Sequence, residues 1–129
     1  MEKQAVFTQA GPVQGAPYTP AVRVGDMLYV SGQVPLNPAT GKLVEGGFEE
    51  QAHQCLANLK ALLELGGSSP AGVVKTTVFL SDLANFSAMN RIYGGYFDGV
   101  RPARSCVQAA RLPLDAMIEI EAIAIVGGG

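Results

Sequence analysis

Charged side chains interrupt two otherwise apolar stretches of the sequence. The first stretch, 103–109, contains Arg104, and the second, 117–126, contains Glu119 and Glu121. A guanidinium binds a carboxylate or a phosphate through a planar fork of N–H donors, and a carboxylate in a cleft accepts or donates a proton. These residues predict either a pocket for a small anion with a proton-transfer group, or a protected sheet edge or structural ion pair at an interface.

The spacing of these residues constrains how they can act together. Strand alternation places Arg104 on one face with Cys106 and Gln108. If the two stretches form a hairpin that turns near residues 113–114, Glu119 lies opposite Gln108, and Arg104 is about 13 Å away. That distance is too long for both groups to act on one small substrate. Either the register differs or another subunit completes the pocket, and we favour the second interpretation.

Other reactive residue types give weaker indications. Cys106 is a candidate nucleophile, but its sequence neighbourhood contains no histidine, so the role of a small buried hydrophobic residue is favoured. With two cysteines and one histidine, His53, the chain is not expected to hold a metal. The glycines lack a phosphate-binding spacing, and no cofactor is predicted. The segment Pro17-Tyr18 is interpreted equally well as a pocket lid or as a packed turn.

Two stretches have the 3.6-residue period of an amphipathic helix. In 48–65 the apolar residues recur at three- and four-residue spacing, and Gly66-Gly67 follows at the expected C-cap. The second predicted helix begins at Ser81-Asp82, either of which can serve as N-cap, and continues to Tyr96. Glycines at 94–95 predict that its last turns are bent or closely packed.

Strand signals fill most of the remainder. Residues 21–32 predict a hairpin that turns at Gly25-Asp26. The further predicted strands are 73–80, 103–109, 117–126 and a marginal edge strand at 4–8. This order favours an α+β fold with a mixed sheet and both helices on one face. The other sheet face then lacks cover within the chain, which predicts a homo-oligomer packed sheet to sheet.

Composition agrees with this expectation and excludes some functions. The chain has 129 residues, the size of a single domain spanning 1–129. Charged residues make up 16%, against about 25% in an average soluble domain. The net charge of −2 argues against nucleic acid as a partner, because phosphate binding requires a basic surface. Neither a signal peptide nor a membrane span is recognised, so a cytoplasmic protein is expected.

Several sequence segments together resemble the RidA family, also called YjgF or reactive intermediate deaminases. The resemblance covers residues 17 to 126. It is carried by Pro102-Ala103-Arg104-Ser105-Cys106-Val107, Ala110-Arg111-Leu112-Pro113, Ile118-Glu119-Ile120-Glu121-Ala122-Ile123-Ala124, Pro17-Tyr18, Ser31-Gly32-Gln33, Asn37-Pro38 with Gly41, 74–79, and Asn90 with Tyr93.

The resemblance implies a fold, an assembly and an activity. The fold is chorismate-mutase-like, and a homotrimer surrounds a central barrel of sheets with clefts between subunits. The implied reaction is cofactor-free hydrolysis of enamine and imine intermediates. In it, 2-aminoacrylate or 2-iminopropanoate gives pyruvate, 2-iminobutanoate gives 2-oxobutanoate, and ammonia is released.

The resemblance also implies roles for individual residues. Arg104 would bind the substrate carboxylate, and Glu119 would position the attacking water. The backbone at Cys106 would contact the reacting end of the substrate. The remaining cleft residues would be Tyr18, Ser31, Gly32 and Asn90.

The sequence departs from the family pattern at two places, and two other functions compete with the deaminase. The link 98–101 is shorter than in many members, which predicts a reshaped cleft rim. Thr19-Pro20 replaces the more usual pair, which predicts a lid that differs in detail from that of other members. The alternatives are an endoribonuclease or translation inhibitor, and a non-catalytic metabolite-binding or chaperone-like trimer. The resemblance implies that sub-groups lacking this arginine are not deaminases, so the presence of Arg104 favours the deaminase.

Overall fold

Within the described part of the chain, six strands form one mixed sheet, and two α-helices pack against it. The computed structural model describes residues 1–8 and 15–127. In chain order the elements are β1 (Lys3–Val6), β2 (Ala21–Val24), β3 (Met27–Gln33), α1 (Phe48–Leu65), β4 (Val73–Leu80), α2 (Phe86–Gly94), β5 (Ala103–Gln108) and β6 (Ile118–Ile125). Across the sheet the order is β1-β2-β3-β6-β4-β5. The predicted α+β fold is confirmed, and each predicted strand is present within two residues of its expected limits.

The position of β6 corrects the hairpin considered for 103–109 and 117–126. β6 lies between β3 and β4 and pairs antiparallel with both, whereas β5 pairs in parallel with β4 at the sheet edge. The α2 crossover between β4 and β5 makes their parallel pairing possible. Glu119 therefore lies opposite Phe79 and not opposite Gln108.

Helix α1 has the predicted limits. Its apolar residues face the sheet, and Cys55, Leu59 and Leu63 are at most 1% exposed. Two glutamates in the first turn interact favourably with the helix dipole. The helix is followed by Gly67, whose φ of 87° lies in the left-handed region that favours glycine.

Helix α2 is shorter than predicted. The Asp82 carboxylate accepts a hydrogen bond from the Ala84 amide at 2.9 Å, as expected of a cap, but the following turn (83–85) is a 3₁₀ turn. The α-helix starts only at Phe86 and ends at Gly94, so Tyr96 lies beyond it. Two consecutive glycines favour this early end because glycine costs about 1 kcal/mol relative to alanine inside a helix.

The helices cover one face of the sheet, as predicted. On β6 the residues at even positions from Ile118 to Ala124 are buried beneath the helices. The opposite face, which we call the open face, exposes apolar side chains, among them Tyr29 and Ile125 at 48% and 41%. Within the described residues no helix is long and apolar enough to cross a membrane.

Candidate functional site

A cavity of about 510 Å³ opens beside α2 and the start of β5. We call it the arginine pocket. Its lining consists of Asn90, Tyr93, Gly94, Arg101, Pro102 and Arg104. A volume of this size accommodates a small metabolite. Sequence reasoning placed Asn90 and Arg104 in one cleft, and the structure brings both to this cavity.

Aromatic rings hold the guanidinium of Arg104. Its Cζ lies 4.9 Å from the centroid of Tyr93 and 5.6 Å from that of Phe86. Nη1 approaches the Met89 sulfur at 3.7 Å. The Tyr93 hydroxyl is itself fixed by a 2.7 Å hydrogen bond with the buried Thr76 hydroxyl. Cation–π contacts orient the guanidinium without using its N–H donors, so the donors that do not face the Met89 sulfur remain available to a ligand.

No carboxylate of the described chain neutralises this arginine. The ion pairs found in residues 1–8 and 15–127 join Arg91 to Glu49 and Arg111 to Asp115. The arginine pocket is lined by two guanidiniums and by no acidic residue. It is therefore suited to bind an anion.

Glu119 forms a second group of candidate residues, on β6. Its carboxylate lies directly over Gly32, at a point where the β3–β6 pairing is interrupted between Val30 and Gln33. A Cβ on residue 32 would overlap this carboxylate. Burial, and secondarily the charge of Glu121, raise the pKa of Glu119. A carboxylate with a raised pKa is a stronger base, which suits it to accept a proton from water.

The segment that contains Tyr18 is tied to the same end of β3. Ser31 donates from its hydroxyl to the Thr19 carbonyl at 2.7 Å and from its amide to the Pro20 carbonyl at 2.9 Å. Tyr18 itself is 64% exposed. Ser31 and the Tyr18 segment therefore lie next to Gly32, which the Glu119 carboxylate contacts, and the choice between a lid and a packed turn for Pro17-Tyr18 stays open.

Cys106 shares a sheet face with Arg104 and is partly buried. Burial raises the pKa of its thiol, and the nearby Arg104 charge opposes this only in part. The thiol form therefore predominates at neutral pH, which argues against a nucleophilic cysteine. Within the described residues no cluster of three or more His, Cys, Asp or Glu side chains can hold a metal.

The two groups of predicted residues lie on opposite faces of the sheet. Arg104 lies opposite Thr76, which is buried beneath the helices, whereas Glu119 lies opposite Phe79 on the open face. Phe79 is also level with Val107. Arg104 is thus three residues further along and two strands across, about 14 Å from Glu119 at the usual strand spacings.

The distance of about 13 Å between Arg104 and Glu119 expected from the sequence is therefore close to the distance obtained from the strand pairing. The hairpin register on which that expectation was based is wrong, because β5 and β6 both pair with β4 and not with each other. Because the sheet also lies between them, Arg104 and Glu119 of one chain cannot act on the same small substrate.

The sequence analysis gave no functional role to Phe86, whose ring contacts the Arg104 guanidinium, or to Arg101, which lines the arginine pocket. Tyr93 was named only together with Asn90, among the segments that carry the family resemblance, and Arg101 only as part of the shortened link. A signal was available in the helix, because residues spaced by three, four and seven positions share one helix face, as Phe86, Asn90 and Tyr93 do. For Arg101 no periodic signal exists, since it precedes β5.

The chain is similar in sequence and in structure to known proteins. A family described as Endoribonuclease L-PSP matches residues 8–126. A mouse 2-iminobutanoate/2-iminopropanoate deaminase is 45% identical over 97% of this chain and 93% of its own length. A Yersinia pestis protein of unknown function from the conserved Rid family superposes with a TM-score of 0.91 at 43% identity, covering 97% of this chain and 100% of that one.

A third relative is the E. coli protein TdcF, whose crystal structure holds bound serine. It superposes with a TM-score of 0.87 at 41% identity, and the match covers 95% of this chain and 98% of TdcF. Together with the arginine pocket and the position of Glu119, these similarities establish that the chain belongs to the RidA (YjgF) family.

Proposed function

We propose that this protein is a cytoplasmic, cofactor-free deaminase that hydrolyses 2-imino acids and their enamine tautomers. The observation that carries the proposal is Arg104, an arginine held by aromatic rings in a cavity without a carboxylate partner. A 2-imino acid carries one carboxylate for this guanidinium and one electrophilic carbon for water. The identity to a mouse deaminase supports the same activity.

The reaction needs a proton acceptor and then a proton donor. Glu119, with its raised pKa, accepts a proton as water adds to the imine carbon, giving a carbinolamine. That proton passes to the imine nitrogen, the carbinol hydroxyl then gives up its proton to the amino group, the C–N bond breaks, and ammonia leaves. One water is consumed, and one 2-oxo acid and one ammonia are formed, without any change of oxidation state.

The proposal requires more than one copy of the chain. Arg104 and Glu119 lie on opposite sheet faces, so an Arg104 pocket must be completed by the Glu119 group of a neighbouring copy. The uncovered open face provides a surface for such packing. We therefore propose a homotrimer with its clefts between subunits.

Substitution of Arg104 tests the proposal. Ammonia release is measured with imines that an amino-acid oxidase generates from alanine and from 2-aminobutyrate. Arg104→Ala should remove most activity, and Arg104→Lys should restore little, because a lysine ammonium lacks the planar fork. The control is Arg23→Ala, which removes an equal charge on β2, four strands from β5.

Three outcomes would contradict the proposal. Unchanged hydrolysis in Arg104→Ala would show that this arginine does not bind substrate. Absence of hydrolysis in the wild type, with carboxylate metabolites still bound, would favour the non-catalytic alternative. Loss of activity in Cys106→Ser but not in Glu119→Gln would assign the chemistry to the cysteine.

A further inference from the structure

The arginine pocket contains a second cation that the proposed reaction on a simple imino acid does not use. Arg101 lines the same cavity as Arg104 and lies just outside β5. One carboxylate satisfies one guanidinium fork. The 2-imino acids derived from alanine and 2-aminobutyrate have a single carboxylate, so they leave Arg101 without a role.

The side chain of Arg101 is held in place by the backbone. Its Nε donates to the Phe97 carbonyl at 3.0 Å, where the chain leaves α2. This bond uses one of the five N–H donors of the guanidinium, and the terminal nitrogens make no other hydrogen bond within the described residues. Fixing a long side chain in this way lowers the entropy that it loses when a ligand binds.

The charge around the cavity is unbalanced. Neither Arg101 nor Arg104 belongs to the ion pairs of the described residues, and the other lining residues, Asn90, Tyr93, Gly94 and Pro102, are uncharged. Two guanidiniums beside one cavity repel each other and attract anions. A ligand with two negative groups relieves this repulsion better than a ligand with one.

We propose that the preferred substrates are 2-imino acids with a second carboxylate on the side chain. This inference rests on the proposed deaminase function and adds a substrate class to it. Arg104 binds the carboxylate next to the imine carbon, and Arg101 binds the distal carboxylate. The chemistry at the imine carbon is unchanged, with water added and ammonia released.

The test compares imines that differ in the distal group. A D-aspartate oxidase generates the imines of aspartate and glutamate, and a D-amino-acid oxidase generates that of alanine. Hydrolysis is monitored as a decrease in semicarbazone formation. The wild type should show a kcat/KM at least tenfold higher for the dicarboxylate imines, and this preference should decline at high ionic strength.

Variants of Arg101 separate specificity from catalysis. Arg101→Gln should lower kcat/KM for the dicarboxylate imines about tenfold more than it lowers kcat/KM for the alanine-derived imine. Arg101→Lys should retain part of the preference because it keeps the charge. Arg23→Gln, the matched loss of charge on β2, should leave the preference intact.

Binding of oxaloacetate and of pyruvate, measured by calorimetry, provides a readout that does not depend on catalysis. Oxaloacetate should bind more tightly than pyruvate, and Arg101→Gln should abolish the difference. A wild type that prefers the alanine-derived imine and pyruvate, or an Arg101→Gln variant that affects all ligands equally, would overturn the inference. A wild type that binds oxaloacetate more tightly but hydrolyses no imine would contradict the proposed function and retain the assignment of Arg101.

Discussion

The absence of a side chain at Gly32 makes room for the Glu119 carboxylate. Because the Glu119 carboxylate occupies the space of a Cβ at position 32, Gly32→Ala should displace the carboxylate. We expect imine hydrolysis to fall at least tenfold while pyruvate binding in the arginine pocket changes little. Gly47→Ala is the control, since a Cβ there meets no atom within 4 Å. Equal activity of Gly32→Ala and wild type would show that Glu119 need not lie over this glycine.

The raised pKa of Glu119 predicts a pH dependence of activity. Hydrolysis requires the carboxylate form, so kcat/KM should fall as the pH decreases through the raised pKa. Glu121→Gln should shift this acid limb to lower pH, because the charge of Glu121 is the second cause of the shift. Glu119→Gln should remove most of kcat and the acid limb with it. An unshifted limb in Glu121→Gln would assign the titration to another group.

The same pKa shift has a consequence for stability. The ordinary pKa of a glutamate is about 4.3, and the folded state raises that of Glu119. The folded protein therefore binds this proton more tightly, and Glu119 lowers stability progressively as the pH rises from its ordinary pKa through its raised pKa. Above that range, Glu119→Gln should be at least as stable as the wild type in thermal unfolding, although it is less active.

At the scale of elements, polar side chains of α1 fix the strand ends that carry the Glu119 group. The Gln51 side chain accepts from the Met117 amide at 2.8 Å, and the Cys55 thiol donates to the Gln33 carbonyl at 3.0 Å. Asn58 donates to the carbonyls of Val34 and Leu36 at 3.1 and 2.9 Å. These bonds satisfy backbone groups that the sheet leaves unpaired.

Removal of one such bond should affect both stability and turnover. Gln51→Met leaves the Met117 amide without its acceptor, which should cost about 1–3 kcal/mol in urea unfolding. Since Met117 precedes Glu119 by two residues, kcat should fall more than KM rises. Gln51→Glu keeps the acceptor, and Gln54→Met alters a glutamine of α1 whose side chain donates to Asn58. A variant that loses stability with unchanged kcat would limit Gln51 to a structural role.

The elements were more predictable from sequence than their pairing. Periodicity located α1 and β4 at their observed limits because both patterns depend on local burial. The alternation of β6 is the same whether it pairs with β5 or lies between β3 and β4, so the sequence could not indicate that Arg104 and Glu119 lie on opposite faces. Arg101 lies in a segment without a periodic pattern, so only the tertiary structure shows that it lines the arginine pocket.

At the scale of the whole molecule, the open face predicts self-association. Its apolar side chains include Tyr29 and Val107, at 48% and 45% exposure, and Ile123 lies opposite Tyr29 near the middle of the face. Ultracentrifugation should find a trimer at micromolar concentration. Ile123→Lys should dissociate it and abolish hydrolysis, whereas Val100→Lys, at a loop residue that is 96% exposed, should do neither. A fully active monomer would contradict the shared site.

Whole-molecule charge separates the deaminase from the endoribonuclease named in the family description. The chain has 9 lysines and arginines against 11 aspartates and glutamates. Without a basic surface, single-stranded RNA should bind weakly and with little dependence on salt, because few counterions are released. Fluorescence anisotropy at low and physiological ionic strength measures this, with Arg104→Ala and Glu119→Gln as comparisons. If RNA bound with sub-micromolar affinity and strong salt dependence, and both variants abolished RNA cleavage, the endoribonuclease would be favoured over the deaminase. The arginine pocket would then be assigned to a phosphate.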